Sequence, residues 1–221
     1  MKKRLIALLV GLFSSNAAYA APTDDALSGA LYAGVNLGEL PWGGSFKPGV
    51  SLGYYVSELV YVGVVYQVPD TIRRDDSSFN ASGLGKEGLL KSEESVGQRF
   101  MLHTRVRPHR YSPFLSFGMV FNDEDREETL FEDGTRVVQT REAGLRPAIG
   151  VGYDYTFSNG LTFNVEWTGW LFDIPKPKVE ITGGPLTDEA RATMKARAEE
   201  NFESNITNAY HVFALGVGYA F

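Results

Sequence analysis

The chain has 221 residues, a formal net charge of −6 at pH 7, no cysteine and 24 glycines. The acidic balance argues against a nucleic acid partner, because phosphate binding needs an excess of clustered lysine and arginine. The absence of cysteine excludes disulfides and thiol chemistry, and the length suits a single domain.

The amino-terminal segment predicts an export signal. Three basic residues at positions 2–4 precede an apolar run over 5–13, and residues 18–20 are Ala-Tyr-Ala, the small residues that signal peptidase requires. The apolar run is about half of the roughly 20 residues that a membrane-spanning helix needs. We therefore predict cleavage after Ala20 and a mature domain over residues 21–221.

Eight segments alternate large apolar residues with small or polar ones, which is typical of β-strands. They span residues 29–38, 46–57, 59–69, 95–107, 113–122, 145–157, 161–172 and 207–221. Strands of this kind can cross a membrane only as a closed barrel, which satisfies its own backbone hydrogen bonds. The predicted fold is all-β, an eight-stranded antiparallel up-and-down transmembrane β-barrel.

The connections between these strands alternate in length. Tight turns are predicted at residues 57–58, 108–112 and 158–160. Long polar loops follow the other strands, at residues 70–94, 123–144 and 173–206, with a shorter loop at 39–45. In bacterial outer-membrane barrels the short turns are periplasmic and the long loops extracellular, so both termini are expected in the periplasm.

The carboxyl-terminal strand, His211 to Phe221, carries large apolar residues on one face and Ala or Gly on the other. This strand resembles the last strand of Gram-negative outer-membrane barrels. With the export signal, eight strands and loop asymmetry, the mature chain resembles the OmpA/OmpX/OmpW-like family of small barrels. The resemblance implies a monomer in the outer membrane, in contact with lipid and lipopolysaccharide. It also implies that Tyr219 and Phe221 form a signal for the barrel-insertion machinery.

Strand parity predicts an unusually charged lumen. The inward residues include Lys47, Arg99, His103, Arg105, Arg107, Arg146, Asp154 and Glu166. We expect Arg105 or Arg107 to pair with Asp154, and Arg99 or Arg146 to pair with Glu166 nearer the extracellular end. Acidic groups from the loops are an alternative partner for Lys47. Such a network would plug the lumen, because eight strands leave an interior that side chains just fill.

An enzymatic constellation is not visible. Small barrels that act on lipid use a Ser or Thr nucleophile, a His base and an acidic or amide group that orients it. His103 lies among arginines, His109 lies in a turn, and His211 has lipid-facing parity without a nucleophile beside it. We predict no catalytic residue, no metal site and no cofactor.

The loop at 123–144 carries eight acidic and three basic residues and predicts a β-hairpin that turns at Asp133-Gly134. Thr129, Phe131 and Val137 have strand character, so the hairpin is expected to project beyond the membrane. This resembles OmpX-like barrels, in which a protruding edge is available to an extracellular protein. The alternative is a merely solvated acidic face.

The last loop predicts a helix over residues 187–203, with Thr187 as its amino-terminal cap. Its apolar residues recur every fourth position, at Ala190, Met194, Ala198 and Phe202. We expect this face to rest on the barrel mouth, either packed over the rim or as a lid over the lumen.

These features together favour a structural or surface-interaction role for an outer-membrane barrel with a plugged lumen. A narrow, anion-favouring channel for small solutes is the first alternative. An enzyme that modifies outer-membrane lipid is the second.

Overall fold

A computed structural model describes residues 27–38, 46–74, 84, 86–172, 175–204 and 211–221. The predicted export signal and its cleavage site lie outside these residues. The described parts contain one helix, α1 (Asp188–Ser204), and thirteen strands. The strands are β1 (Leu31–Gly38), β2 (Lys47–Ser57), β3 (Val60–Gln67), β4 (Asp70–Arg74), β5 (Leu89–Val96), β6 (Arg99–Val106), β7 (Phe114–Asn122), β8 (Asp125–Phe131), β9 (Arg136–Arg141), β10 (Gly144–Thr156), β11 (Leu161–Trp170), β12 (Lys178–Thr182) and β13 (His211–Ala220).

Eight strands close into an antiparallel barrel in the order β1-β13-β11-β10-β7-β6-β3-β2. Each barrel strand pairs with the barrel strands before and after it along the chain, so the predicted up-and-down fold is confirmed. The barrel closes between the first and last strands, where Tyr32 lies opposite Ala220. Beyond the last strand, Phe221 and Leu31 exchange two backbone hydrogen bonds of 2.8 and 2.9 Å.

The two faces of the barrel strands differ as the alternation predicts. Large apolar residues cover the outside, and side chains such as Leu52, Val151 and Leu215 are more than half exposed. The inward side carries small and polar residues together with a smaller set of buried large side chains, such as Tyr61, Met101 and Phe114. Gly53 and Gly63 are required by close packing, because a Cβ at either position would collide with the ring of Tyr61. The exposed apolar band is the surface that a membrane barrel presents to lipid.

Above the barrel, a second sheet of five strands has the order β12-β9-β8-β5-β4. These strands continue the barrel strands β11, β10, β7, β6 and β3 in the same order. The sheet and α1 are referred to below as the outer layer. The long connections all lie at this end, which is extracellular in bacterial outer-membrane barrels.

The predicted hairpin at 123–144 is confirmed as β8 and β9, and its turn contains Gly134 with a φ of 81°. The expectation that this hairpin offers a free edge is wrong. β8 pairs with β5, and β9 pairs with β12, so both strands are interior to the sheet. The sequence did not predict β4, β5 or β12, because β4 and β12 have five residues each and β5 is mostly polar.

The predicted helix is confirmed as α1, and the Thr187 side-chain oxygen accepts a hydrogen bond of 3.2 Å from the Ala190 backbone N–H. The expectation that its apolar face rests on the barrel mouth is wrong. Met194 and Ala198 instead pack on the outer-layer sheet. The cluster that they complete contains Leu84, Leu89, Phe131, Val137 and Val179. Phe202 lies among the residues whose side chains are not described. Among the described residues, no helix is long and apolar enough to span a membrane.

Candidate functional site in the barrel lumen

An aromatic layer fills the end of the lumen that has the short turns. The rings of Tyr55 and Tyr61 lie 4.9 Å apart, and those of Tyr32 and Tyr61 lie 6.1 Å apart. Leu27 packs against this group from the segment before β1. The Asn164 amide donates a hydrogen bond of 2.8 Å to the Tyr32 hydroxyl. Side chains from five parts of the chain therefore meet at this end.

The ionic network lies against the aromatic layer, and Arg105 is opposite Tyr61 in the strand register. The Arg105 guanidinium donates two hydrogen bonds, of 3.0 and 2.7 Å, to Oε2 of Glu166. Arg107 donates one hydrogen bond of 2.6 Å to Asp154, and Arg105 reaches the same carboxylate at 3.5 Å. All four side chains are buried. The Arg105 guanidinium also lies 4.7 Å from the centre of the Phe114 ring, so both its edge and its face are occupied.

The partner of Glu166 differs from the expectation. Its carboxylate binds Arg105 and His103, and neither Arg99 nor Arg146 reaches it. The reason is the tilt of the strands, which brings residues of non-adjacent strands to the same depth in the lumen. Depths counted from the ends of single strands do not include this tilt. Arg146 is half-buried and lies over the Trp170 ring, at 5.5 Å from its centre.

His103 is fully enclosed and has the wrong contacts for a catalytic base. Nδ1 lies 2.8 Å from Oε1 of Glu166 and 3.2 Å from the hydroxyl of Ser116. A nucleophile and an orienting carboxylate must use different ring nitrogens, whereas these two share one. Among the described residues, Nε2 has no hydrogen-bond partner, and the ring lies edge-on to Tyr61. The arrangement is that of a structural hydrogen-bonding group.

An apolar layer separates this network from the extracellular end. It consists of Val65, Met101, Val120, Ala148, Trp170 and Val212, which form one contiguous buried cluster. Trp170 is its largest member, and its indole N–H donates a hydrogen bond of 2.9 Å to the Val120 carbonyl. This hydrogen bond reaches from β11 across β10 to β7.

The polar mouth, above the apolar layer, contains the remaining predicted cations. Arg99 donates a hydrogen bond of 2.6 Å to Asp125, and the Lys47 ammonium donates one of 2.6 Å to the Gly97 carbonyl. Arg141 bridges Asp125 and Glu94 at 3.3 and 3.5 Å. The mouth therefore contains an acidic group from the loops, Asp125, but its ion pairs are with Arg99 and Arg141, whereas the acidic partner was expected for Lys47.

Asp125 is a site residue that sequence reasoning missed, because it lies within an acidic run that was assigned to a solvated face. Burial by itself raises the pKa of Asp125, but Arg99, Arg141 and Lys47 outweigh burial and lower the pKa below its ordinary value. The alternation of inward and outward side chains along β8 was the signal that could have identified Asp125. Thr129 is buried on β8, and counting back in steps of two reaches Asp125.

All the predicted lumen residues other than Arg146 are buried inside the barrel or its mouth. Arg105, Arg107, His103, Asp154 and Glu166 come together in the ionic network, whereas Lys47 and Arg99 belong to the polar mouth. Within the described ranges, no group of three His, Cys, Asp or Glu side chains is placed to hold a metal ion.

Comparisons with known proteins agree with this architecture. The crystal structure of Acinetobacter baumannii CarO is similar over 86% of this chain and 97% of its own, with a TM-score of 0.57 and 12% identity. Acinetobacter baumannii CarO2 is similar over 87% of this chain and 98% of its own, with a TM-score of 0.56 and 14% identity. At these identities the likeness shows the fold alone. A search of curated protein sequences gave no significant match.

A profile of the family described as "Outer membrane protein beta-barrel domain" matches residues 5–221. The match covers nearly the whole chain, and the closed eight-stranded barrel is the fold that it requires. The chain therefore belongs to the outer membrane protein beta-barrel domain family.

Proposed function

We propose that the protein is a closed barrel with a structural or surface-interaction role, and that it anchors the outer layer in the membrane. The observation that carries this proposal is the filled lumen, in which Arg105 and Arg107 hold Glu166 and Asp154 at hydrogen-bonding distance beneath a buried apolar layer. A buried charge without a partner costs several kcal/mol, so the paired arrangement is the favoured state of this interior. A permanently closed lumen leaves the extracellular surface to carry the function.

The outer layer has the features of an independent platform. It has its own apolar cluster beneath α1, separate from the apolar layer of the barrel. Its outer face carries cross-strand ion pairs, including Arg136 with Glu128 at 2.7 Å and Arg73 with Glu93 at 3.0 Å. We propose that an extracellular protein contacts the 123–144 hairpin through this face or the hairpin tip, since its edges are already paired.

Further partners follow from the position in the membrane. Lipid and lipopolysaccharide would contact the apolar band. The barrel-insertion machinery would recognise Tyr219 and the half-exposed Phe221 during assembly. We propose that the mature, monomeric protein begins after Ala20, which intact mass measurement of protein purified from outer membranes would test.

Planar-bilayer recording of the refolded protein tests the closed barrel. We expect no stable unit conductance at any salt concentration. Reproducible, salt-dependent unit steps with anion selectivity would instead establish the channel alternative. Folding is verified in the same samples by the dependence of gel mobility on boiling.

The enzyme alternative is tested separately by mass spectrometry of lipid A from cells that express the protein. We expect the acylation pattern to stay unchanged, because His103 is enclosed and shares one nitrogen between Ser116 and Glu166. A new acylation or deacylation product that depends on the protein would contradict the structural role.

A further inference from the structure

The inward residues of β6 define the order of layers in the lumen. From the extracellular end they are Arg99, Met101, His103 and Arg105. Arg99 belongs to the polar mouth, Met101 to the apolar layer, and His103 and Arg105 to the ionic network. The apolar layer therefore lies between two charged layers.

The apolar layer extends around most of the barrel. Its six residues come from β3, β6, β7, β10, β11 and β13, one from each strand. β1 and β2 complete the ring with a hydrogen bond of 2.8 Å from the Asn36 amide to the Ser51 hydroxyl. Ser51 lies opposite Val65 in the strand register. Above this contact, Gln67 donates hydrogen bonds to Asn36 at 3.0 Å and to the Phe213 carbonyl at 2.7 Å.

Trp170 is the largest side chain of this ring. Its six-membered ring lies against Gly144, which has no side chain of its own, and its N–H is tied to the Val120 carbonyl. Met101 occupies the opposite part of the cluster and is fully buried. Removing these two side chains would leave a cavity in the apolar layer.

Charged and apolar layers have different effects on permeation. Rings of charged side chains occur in conducting pores as selectivity filters, whereas apolar constrictions stop water and ions by dewetting. Building on the proposed closed barrel, we propose that the apolar layer is the permeability barrier of the lumen. The ionic network beneath it holds the barrel together and does not by itself prevent ion flow.

The test compares three double variants with the wild-type protein in planar bilayers. Met101→Ala/Trp170→Ala opens the apolar layer, and Met101→Leu/Trp170→Phe is its control, because it keeps a large apolar side chain at both positions. Arg105→Ala/Glu166→Ala removes the central ion pair and leaves the apolar layer intact. We expect stable unit conductance from the first variant only. Gel mobility before and after boiling confirms that each barrel is folded.

The outcomes separate this inference from the proposed function. Conductance by the wild-type protein would contradict the closed barrel itself. A silent wild type with conductance from the Arg105→Ala/Glu166→Ala variant, or from no variant, would overturn the apolar barrier and leave the closed barrel standing. If Met101→Ala/Trp170→Ala does not fold, Met101→Ser alone replaces it, because it retains Trp170 and introduces a polar group into the layer.

Discussion

Arg105 is the residue with the most contacts in the ionic network, and the stability of that network depends most on it. Its guanidinium binds Glu166 twice and lies between the rings of Tyr61 and Phe114, at 4.6 and 4.7 Å from their centres. A planar guanidinium can donate along its edge while its faces contact aromatic rings, which a lysine ammonium cannot do. The same side chain therefore joins the ionic network to the aromatic layer.

We predict that Arg105→Ala lowers the free energy of unfolding by about 3–5 kcal/mol, because it leaves Glu166 buried without its main counter-charge. Arg146→Ala is the control. Arg146 is half-buried and contacts the face of Trp170, so its loss should cost about 1 kcal/mol or less. Urea unfolding in lipid vesicles, followed by tryptophan fluorescence, measures both. Equal losses for the two variants would contradict the central role of Arg105.

A second residue-level prediction concerns the tip of the 123–144 hairpin. A hydrogen bond from Lys86, followed by the backbone N–H of Thr135, lowers the pKa of Asp133 from 3.8 to about 2. Because the pKa of Asp133 is lower in the folded state, its contact with Lys86 stabilises the folded state fully above pH 3.8. This stabilisation is lost as the pH falls through about 2. NMR titration of the Asp133 carboxyl carbon tests this value. Lys86→Gln should return the pKa towards 3.8, whereas an unchanged low value would remove Lys86 as its cause.

Residue parity was predictable from the sequence, and residue pairing was not. Side chains alternate across a strand with a period of two, so the inward direction of Arg105 and Glu166 follows from the pattern of their neighbours. Which of them meet depends on strand tilt and on the stagger of a closed barrel, neither of which is written in a single strand. The partner of Arg99 was missed because it lies in a strand of the outer layer.

At the scale of elements, α1 is held on the outer-layer sheet by two small sets of contacts and not by a broad apolar face. Met194 and Ala198 are its buried side chains in the cluster, and Arg191 donates hydrogen bonds to the Ile181 and Gly183 carbonyls at the end of β12. The Arg191 contact also occupies a carbonyl on the outer edge of the sheet, which limits edge-to-edge pairing there. The helix therefore covers both the face and one edge of the outer layer.

Two alanines on α1 provide a matched test. Ala198 is 1% exposed in the cluster, whereas Ala196 faces solvent. We predict that Ala198→Glu detaches the helix, because an unpaired carboxylate cannot enter an apolar cluster, and that Ala196→Glu has no effect. Limited proteolysis within residues 188–204 measures detachment. Cleavage at the same rate in both variants, or a barrel that no longer folds, would show that α1 does not pack as a separate unit.

The elements of the barrel were predictable, and those of the outer layer only in part. Each barrel strand has one lipid-facing side, which produces a clear apolar alternation. β5 has the sequence Leu-Leu-Lys-Ser-Glu-Glu-Ser-Val. Its polar residues face either solvent or the polar mouth, so the alternation of apolar and polar residues disappears. β8 and β9 were predicted because an Asp-Gly turn marks their hairpin. The helix was predicted from its composition and its cap.

For the molecule as a whole, the outer layer is an upward extension of five barrel strands. β13, β1 and β2 take no part in it. This continuity couples the layer to the barrel through the polar mouth, where Asp125 of β8 binds Arg99 of β6. The Arg99–Asp125 ion pair therefore joins the layer to the lumen, while the two parts keep separate apolar cores.

This separation predicts the effect of removing the 123–144 hairpin. Asn122 and Gly144 lie opposite each other at the ends of β7 and β10. An inserted two-residue Asn-Gly turn can therefore replace the residues between them and join the two strands directly. The shortened chain should still form a barrel with heat-dependent gel mobility. It should remain closed in planar bilayers, because the apolar layer lies below the deletion. The outer layer, which loses its two central strands, should become sensitive to protease.

The deletion also leaves Arg99 without Asp125, which should lower the free energy of unfolding by an amount comparable to other broken buried pairs, about 3–5 kcal/mol. Arg99→Gln in the shortened chain should recover part of this loss, because an amide can be buried at lower cost than an unpaired guanidinium. The same substitution in the full-length chain is the control and should destabilise, since it leaves Asp125 with fewer cations. No recovery in the shortened chain, or no destabilisation of the full-length chain, would show that the mouth ion pair does not couple the outer layer to the barrel. The two parts would then be joined only by the continuous strands.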